Sequence, residues 1–512
     1  MKLVSVAQMR EIEQKAREDF GIPDLLLMEN AGRAVAEAVR EHLRGKARVS
    51  VLGGMGNNGG DGWVAARHLA NAGVTVHPIL LGEREKVQGT AGTNLNILER
   101  MGYPPRQFNP EEDLAGLSAA LAESALAVDA ILGTGTRGTV GEWLGEAIIR
   151  TNASRLPVVA VDVPSGLCAD TGRVLGQAIR ANTTVTMGLP KPGLYTGEGP
   201  EWAGQVVVAD ISLPAGAVER THGPWELLDV DMVRNFPPPL TRAQHKGDRG
   251  TLLLLAGSRN MTGAAILAAR AACRAGAGKV HLGLPQTCQA QVAPAIPNCL
   301  TWGLPDTGEG FLAPSALDQI LPALDKFDAV AVGPGLSTAS GVFRLVRGLL
   351  RVFCKPLLLD ADALNVLAEK EASLVEAAGP VIITPHPGEM SRLTGRPSRE
   401  IQANRPGIAL AAAGKWQVWV VLKGAGTVIA TPDGKGYINP TGNPGMASAG
   451  TGDVLTGLMG GLLAQGARPL PAAAAAVYLH GMAGDLAAAK FAQPSLTAED
   501  LIAYIPDCFR QI

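Results

Sequence analysis

This chain of 512 residues has few cysteines, almost no net charge and no long apolar run. It contains no CxxC pair among its six cysteines, which are Cys168, Cys273, Cys288, Cys299, Cys354 and Cys508. Scattered cysteines argue against both a zinc site and a disulfide framework. We therefore interpret all six as reduced thiols of the core.

The charges nearly cancel, because the chain has 45 Lys and Arg residues and 47 Asp and Glu residues, which gives a formal net charge of -2. Such a balance gives no footprint for a nucleic acid or an anionic membrane, so any phosphate recognition must be local. No apolar stretch is long enough to span a membrane, and the amino-terminal segment lacks the apolar block of a signal peptide. We expect a cytoplasmic protein that binds neither nucleic acid nor membrane.

The length and the composition, 46% hydrophobic and 18% charged, predict a globular α/β protein of at least two domains. In the first part, short apolar runs end in glycine or polar residues and precede helical patterns, as in a parallel sheet. Three such runs, around 47–62, 125–138 and 156–166, carry Asp129 and Asp162 near their ends. Ligands bind beyond the carboxyl ends of parallel strands, so we expect these strand ends to form one pocket.

A junction near residue 220 separates the two domains, which we place at 1–220 and 225–512. Residues 213–240 lack a sustained period and finish in a proline cluster. Beyond them the alternation of strands and glycine turns starts again, which predicts a second and larger sheet with helices on both faces. Alanine-rich segments in this half indicate tightly packed helices.

Two glycine-rich turns and an aspartate carry the chemistry of the first domain. GGMGNNGGDG (53–62) follows a strand and precedes a helix expected from Trp63 onward, so its backbone can approach a pyrophosphate or form an ordinary turn. GTGTRGT (133–139) can form an anion-binding nest, in which Arg137 either contacts a ligand or faces solvent. Asp162 either transfers protons or caps the following turn.

The combination NNGGDG, VDAILGTGTRG, VDVPSG and GLPKPG resembles the amino-terminal domain of the NAD(P)HX epimerase family, over about residues 1–215. The resemblance implies a Rossmann-like three-layer domain in which Asp162 is the acid–base group. It also implies that Asn58, Asp129 and Ser165 hold a potassium ion, since oxygen ligands of low total charge suit a hard cation. The residues it implies for contact with the hydrated dinucleotide are Asn57, Asn58, Gly59, Gly60, Asp61, Gly133, Thr134, Gly135, Thr136, Arg137, Gly138, Thr139 and Asp162.

The second domain has its motifs at apparent strand ends and helix starts. We expect Thr262 to cap a helix that begins near residue 262. His386 is either structural or a substrate contact, and Lys423 either receives nucleotide phosphates or is solvated. AGTGD (449–453) is the sharpest signal, because helix amino-terminal amides can form an anion hole with Asp453 beside it as a base. The alternative for Asp453 is an ordinary acid that favours the helix dipole.

The set HKGDRG, GSRNMTGAA, GPGL, TPHPGE, KGAGT and GTGD is similar to the NAD(P)HX dehydratase branch of the ribokinase-like fold, over about residues 225–512. The resemblance implies magnesium bound with ADP or ATP. The residues it implies for contact with the hydrated cofactor are Ala264, Gly335, His386 and Asp453. Those it implies for the nucleotide are Lys423, Gly424, Ala425, Gly426, Thr427 and Gly452.

Together the two resemblances predict a bifunctional enzyme that repairs the hydrated cofactors NADHX and NADPHX. The first domain would exchange the R and S epimers at carbon 6. The second would dehydrate the S epimer, with ADP favoured as the phosphoryl donor and AMP and phosphate as products. The alternative is a ribokinase-like small-molecule kinase fused to a dinucleotide-sensing domain. We also expect a homo-oligomer.

Overall fold

A computed structural model describes residues 1–43, 47–110, 114–234, 241–369 and 374–512. The chain forms two compact units, Lys2–Trp225 and Glu226–Ile512, with Met1 counted in the latter. Three short elements occupy the segment in which the sequence showed no sustained period, namely α8 (Ala215–Glu219), β8 (Trp225–Leu227) and α9 (Val230–Val233). The proline cluster predicted to close the junction lies in 235–240, outside the described residues.

The first unit has a seven-stranded parallel sheet in the order β3-β2-β1-β4-β5-β6-β7. Its strands are β1 (Arg48–Gly53), β2 (Thr75–Leu81), β3 (Arg106–Phe108), β4 (Leu126–Ala130), β5 (Val158–Val161), β6 (Thr183–Met187) and β7 (Gln205–Ala209). Its helices are α1 (Val6–Glu18), α2 (Asp24–His42), α3 (Asn57–Asn71), α4 (Gly89–Arg100), α5 (Ala115–Ala122), α6 (Glu142–Ala153), α7 (Gly199–Ala203) and α8 (Ala215–Glu219).

Helices cover both faces of this sheet. Val49 and Val51 of β1 belong to the cluster formed with α2, α3 and α4, whereas Leu52 belongs to the cluster formed with α5 and α6. Strands buried on both faces are apolar at nearly every position. The predicted three-layer α/β domain is therefore confirmed.

The second unit has a ten-stranded sheet in the order β11-β10-β9-β12-β13-β14-β15-β16-β17-β8. Its strands are β8 (Trp225–Leu227), β9 (Thr251–Leu255), β10 (Lys279–Pro285), β11 (Leu300–Leu304), β12 (Ala329–Val332), β13 (Leu357–Leu359), β14 (Val381–Ile383), β15 (Trp419–Leu422), β16 (Val428–Ala430) and β17 (Gly436–Ile438). The pairs from β11 to β15 are parallel, but β15, β16 and β17 pair in antiparallel fashion. Segment 423–427 is therefore the loop of a hairpin.

The helices of the second unit include four that form one large apolar cluster with the sheet, namely α10, α18, α19 and α20. The helices of its described residues are α9 (Val230–Val233), α10 (Thr262–Arg274), α11 (Gln289–Val292), α12 (Ala316–Ile320), α13 (Ser340–Val352), α14 (Asp362–Glu369), α15 (Pro387–Thr394), α16 (Ser398–Ala403), α17 (Arg405–Trp416), α18 (Thr451–Ala464), α19 (Pro469–Ala488) and α20 (Ala498–Gln511). A methyl group at Gly457 would lie 2.0 Å from the Ala268 carbonyl oxygen, so α10 and α18 touch backbone to backbone. The prediction of tightly packed alanine-rich helices is confirmed.

Several local predictions were wrong. Helix α3 begins at Asn57 rather than Trp63. Thr262 is the first residue of α10 and caps nothing, since the N-cap position is held by Met261. Cys354 is exposed, and Cys168, Cys273 and Cys299 are only partly buried, so not all cysteines belong to the core. No described helix is both long and apolar enough to cross a membrane.

Each sheet has a point at which the chain changes its direction of winding. In the first unit it lies between β1 and β4, and in the second it lies between β9 and β12. At such points the turns that follow neighbouring strands diverge to opposite faces and leave a crevice for ligands. In the first unit, the predicted segments 57–61 and 133–139 follow β1 and β4, whereas Asp162 follows β5. In the second unit, Ala264 and Gly335 follow β9 and β12, whereas His386 and Lys423 follow β14 and β15.

Candidate active sites

In the first unit, the turns after β1 and β4 meet. Asn58, in the first turn of α3, donates a hydrogen bond from its side-chain amide to the Leu132 carbonyl oxygen at 3.1 Å. A methyl group at Gly133 would lie 3.0 Å from Asn58 Oδ1. The two glycine-rich segments, 57–61 and 133–139, are therefore adjacent at the carboxyl edge of the sheet.

Asp129 is fully buried at the end of β4 and is held by Ser165. The Ser165 hydroxyl donates to Asp129 Oδ1 at 2.5 Å, and the Ser165 backbone N–H donates to Oδ2 at 2.8 Å. Burial raises the pKa of Asp129 to about 6, and no basic side chain among the described residues opposes this shift. Ser165 and Asn58 both contact Leu132. One carboxylate and several neutral oxygens thus converge, which fits a potassium ion.

Asp162 follows β5 in a left-handed backbone conformation, with φ of 62°. This conformation costs a non-glycine residue about 1–3 kcal/mol and is concentrated at functional sites. Its Oδ1 accepts hydrogen bonds from the Met187 backbone N–H at 3.0 Å, the Thr186 hydroxyl at 3.2 Å and Lys191 Nζ. Its Oδ2 has no partner among the described residues. Asp162 does not cap the following turn, because the Ser165 N–H is bonded to Asp129.

Lys191 is completely buried and forms an ion pair with Asp162. Two more carboxyl groups lie close by. Burial, followed by the negative charge of Asp162, raises the pKa of Glu13 on α1, and the same causes raise the pKa of Asp61 on α3 well above its usual value. The charge of Lys191, which is paired with Asp162, opposes both shifts, and the strongly raised pKa makes Asp61 the readier of the two to hold a proton. Such a set contains both a proton acceptor and a proton donor.

The turn formed by residues 133–139 is held by hydrogen bonds between its own residues. Thr136 donates to the Gly133 carbonyl oxygen from its backbone N–H at 3.2 Å and from its hydroxyl at 2.9 Å. Arg137 is exposed, which agrees with the solvent-facing alternative. Its contact with a ligand remains a prediction.

In the second unit, Ala264 and Gly335 lie on either side of the winding point. Gly335 has φ of 63°, and a methyl group there would lie 2.7 Å from Met261 Cβ and 3.1 Å from Ala264 Cβ. Only glycine combines this backbone with so close an approach. The turn after β12 therefore rests against the start of α10, and the contact of Ala264 and Gly335 with one ligand remains a prediction.

Lys423, at the end of β15, is 19% exposed and is not a solvated lysine. Its Nζ lies 2.7 Å from Asp360 Oδ1 and 3.8 Å from Glu389 Oε2. The Thr456 hydroxyl donates to the other oxygen of Asp360 at 2.6 Å. Burial by itself lowers the pKa of Lys423, but the two carboxylates raise it overall. The two carboxylates therefore hold the lysine in its charged form.

Asp453 occupies the first turn of α18, as predicted. Burial and then the negative charge of Asp360 raise its pKa to about 7, against the opposing charge of Lys423. A methyl group at Gly452 would lie 3.6 Å from Lys423 Nζ, so the lysine reaches the same helix start. An aspartate with a pKa near neutrality beside helix amino-terminal amides suits a general base for phosphoryl transfer.

His480 anchors this helix start from α19. Its Nε2 lies 2.9 Å from the Thr451 carbonyl oxygen, and burial lowers its pKa to about 4. The neutral ring therefore donates to that oxygen. His480 holds the first residue of α18 without adding charge to the site.

His386 has a structural role in the described residues. Its Nδ1 accepts a hydrogen bond from the Gly388 backbone N–H at 2.9 Å, and Glu389 Oε2 accepts one from the His386 N–H at 2.7 Å. This reciprocal pair caps α15. The ring is half exposed, and its contact with substrate remains a prediction.

Comparison with known proteins covers both units. The family model described as NAD(P)H-hydrate dehydratase matches residues 252–507, and the one described as YjeF-related protein N-terminus matches residues 25–193. The chain is 44% identical, over 515 residues, to a bifunctional NAD(P)H-hydrate repair enzyme of Moorella thermoacetica, with 100% of this chain and 97% of the relative covered. The chain belongs to the bifunctional NAD(P)H-hydrate repair enzyme family. The resemblances of both halves are thereby confirmed.

Two solved structures are similar to the second unit of this member of the repair-enzyme family. A ribokinase-like superfamily protein from Enterococcus faecalis V583 is 24% identical, with a TM-score of 0.50, 57% of this chain covered and 97% of that chain covered. It confirms the ribokinase-like fold. The ADP/ATP-dependent NAD(P)H-hydrate dehydratase from Bacillus subtilis, co-crystallised with ATP/Mg2+, is 37% identical and covers 55% of this chain and 95% of its own, with a TM-score of 0.48.

Sequence reasoning missed several residues of these sites. Lys191 lies in the motif GLPKPG, and Asp360 follows the apolar run LLL. Both are charged residues directly beside a proline or a buried strand, and this position in the sequence could have identified them as site residues. Glu13 and His480 lie on ordinary helical patterns, and no local signal marks them.

Proposed function

We propose that this protein repairs hydrated NADH and NADPH, with the first unit as an epimerase and the second as a nucleotide-dependent dehydratase. The observation that carries the proposal is the family relationship over the whole chain, which includes both halves. The two strand-edge sites support it, because each contains an ionisable group suited to its step. The substrates are NADHX and NADPHX, and ADP is the favoured donor.

In the first unit, Asp162 is the proposed acid–base group. Lys191 and two further donors bind Oδ1, which leaves Oδ2 for the substrate. Asp61 is the proposed proton donor that completes the exchange. The predicted contacts of segments 57–61 and 133–139 with the dinucleotide, and of Asn58, Asp129 and Ser165 with potassium, belong to the same proposal. Potassium supplies positive charge beside the buried Asp129.

In the second unit, Asp453 accepts the proton of the carbon 6 hydroxyl, whose oxygen then attacks the terminal phosphorus of the nucleotide. With ADP the leaving group is AMP. The carbon–oxygen bond breaks as the ring nitrogen donates its electron pair, phosphate departs, and loss of a proton from carbon 5 restores the dihydronicotinamide. Phosphate leaves far more readily than hydroxide, so the phosphorylation removes the main barrier.

The nucleotide is proposed to bind at Lys423, Gly424, Ala425, Gly426, Thr427 and Gly452, and the hydrated cofactor at Ala264, Gly335, His386 and Asp453. The described residues contain no group of three acidic, histidine or cysteine ligands that could hold a metal ion. This fits magnesium, which keeps waters and is held mainly through substrate phosphates. Magnesium supplies charge neutralisation on the phosphates.

The deciding experiment supplies purified protein with an equal mixture of R- and S-NADHX, magnesium and either ADP or ATP. Return of the full dihydronicotinamide absorbance with formation of AMP from ADP supports both activities. Return of only half would contradict the epimerase. Formation of a stable phosphorylated product without that absorbance would indicate the kinase alternative, and binding without exchange by the first unit would indicate a sensing domain. We further propose a cytoplasmic homo-oligomer, which sedimentation and cell fractionation test.

A further inference from the structure

Arg405 is a buried cation that has no ionic partner in the part of the chain that the structure describes. It is 2% exposed, and its Nε and Nη1 have no hydrogen-bond partner among the described residues. Burial lowers the pKa of its guanidinium to about 10, with no contribution from any acidic group in the described chain. A buried charge is ordinarily paired, so this arginine is costly to the fold.

Its place in the chain adds to that cost. Arg405 is the first residue of α17, where the helix dipole is positive, and the N-cap residue Asn404 already accepts a hydrogen bond from the Gly407 N–H. A positive charge is disfavoured at a helix amino terminus. Neither burial nor local helix chemistry therefore accounts for an arginine at this position.

The guanidinium lies directly beneath the hairpin loop 423–427. Its Nη2 donates to the Ala425 carbonyl oxygen, and a methyl group at Gly424 would lie 2.2 Å from Nη1. Gly424 has φ of 149°, outside the range of ordinary side chains. The loop is thus shaped around the arginine, and the glycine is required by the close approach.

The hydrogen bond to Ala425 also sets the direction of the next amide. In a trans peptide the C=O and the following N–H point in opposite directions. Because the Ala425 carbonyl oxygen points to Arg405, the Gly426 N–H points away from it. Within the described chain, the backbone N–H groups of residues 424, 425 and 426 donate to no acceptor. The loop therefore holds free donors above a buried positive charge.

We infer that Arg405 is a positioning residue for the phosphoryl donor, which orients the amides of the loop toward the phosphates and supplies positive potential beneath them. This inference rests on the proposed nucleotide site at residues 423–427. A more highly charged nucleotide gains more from that potential. Arg405 therefore favours ADP or ATP over the product AMP and promotes product release.

The test uses the full chain and three variants. Arg405→Met removes the charge and the donors but keeps the aliphatic volume, and Arg405→Lys keeps the charge without the planar fork. Arg399→Gln, at an exposed arginine on α16, is the control for net charge. Calorimetry measures dissociation constants for Mg·ADP and for AMP, and steady-state assays measure KM for ADP and for S-NADHX.

We expect Arg405→Met to weaken Mg·ADP binding by about tenfold or more, the usual weight of one hydrogen bond between a loop amide and a charged phosphate, because the amides lose their fixed orientation. AMP binding should weaken less. The KM for S-NADHX should stay within about twofold, and Arg405→Lys should recover part of the ADP affinity. Arg399→Gln should match the wild type. If Arg405→Met does not fold, Arg405→Lys decides, because it must bind Mg·ADP more weakly than the wild type with an unchanged KM for S-NADHX.

Two results would overturn the inference. One is unchanged Mg·ADP affinity in the Arg405 variants. The other is an equal loss for ADP, AMP and S-NADHX together with a lower melting temperature, which marks a purely structural residue. A wild-type protein that does not bind Mg·ADP at all would instead refute the proposed function, and the inference with it.

Discussion

Dehydration by the second unit should depend on pH through Asp453, whose pKa is raised to about 7 by burial and by the charge of Asp360. As a base the carboxylate must be ionised. For a pKa of 7, the ionised fraction rises from about 9% at pH 6 to about 91% at pH 8, so kcat/KM for S-NADHX should increase roughly tenfold over that interval. Asp453→Asn should lose about two to four orders of magnitude in rate, with epimer exchange unaffected.

A neighbouring charge allows the assignment to be tested without removing the base. Asp362 raises the pKa of Asp453 through its negative charge, and its oxygens accept hydrogen bonds from the Ser337 N–H at 2.8 Å and the Asn365 side chain at 3.1 Å. Asp362→Asn should therefore move the acid limb of the profile to lower pH. Asp318→Asn, at an exposed aspartate paired with Arg344, removes the same charge far from the base and should leave the limb in place.

The assay supplies pure S-NADHX, saturating Mg·ADP and constant ionic strength from pH 5 to pH 9, and follows the dihydronicotinamide absorbance. The S epimer is used so that epimerisation does not limit the rate. A wild-type rate independent of pH between 6 and 8, or an acid limb unmoved by Asp362→Asn, would refute Asp453 as the titrating base. Undiminished repair by Asp453→Asn would do the same.

Three further predictions concern the first unit. Asp162→Asn should make repair of a mixed R and S sample biphasic, with a slow phase two to four orders of magnitude below the wild-type exchange rate; addition of wild-type first unit should restore one phase. Lys191→Met should slow epimer exchange and lower the melting temperature, because it leaves the partly buried Asp162 without its cation; unchanged exchange would remove the lysine from the mechanism. Burial raises the pKa of Asp129 to about 6, so the free energy of unfolding falls by about 3 kcal/mol as the pH rises from about 4 to above 6. A bound potassium ion offsets this loss, and it should therefore raise the melting temperature more at pH 8 than at pH 5. An equal rise at both pH values would contradict the potassium site.

The sequence predicted the position of both sites because parallel sheets bring the ends of successive strands to one edge. Asp129, Asp162 and Asp453 lie near strand ends or a helix start, as their motifs indicated. Which residues touch one another could not be predicted in the same way. Lys191 reaches Asp162 across 29 positions, and Lys423 reaches Asp360 across 63. Such pairs depend on how turns fold back, which periodicity does not encode.

The errors have physical causes too. The start of α3 was predicted six residues too late because Gly59 and Gly60 are poor helix formers. Close packing of Gly59 against Gly54, and of Gly60 against Met28 and Ala91, overrides that propensity. The antiparallel strands β16 and β17 are only three residues long each, too short for an alternating pattern to appear. In the sequence, Arg405 cannot be distinguished from any other arginine of an alanine-rich helix. It is buried because the hairpin loop 423–427 covers it, and that contact appears only in the folded chain.

The hairpin between β15 and β16 has a practical consequence for engineering. In most of this sheet, one strand is linked to the next by a long crossover that also builds the core, so a change in that connection disturbs packing elsewhere. Residues 423–427 join two strands that pair directly with each other. Lys423 must be kept for its ion pair with Asp360, but a change at residues 425–427 that keeps the loop length alters only a local closure. Libraries confined to residues 425–427, with Lys423, Gly424 and the register of the two strands retained, offer a route to enzymes that use other phosphoryl donors while the remainder of the fold is left intact.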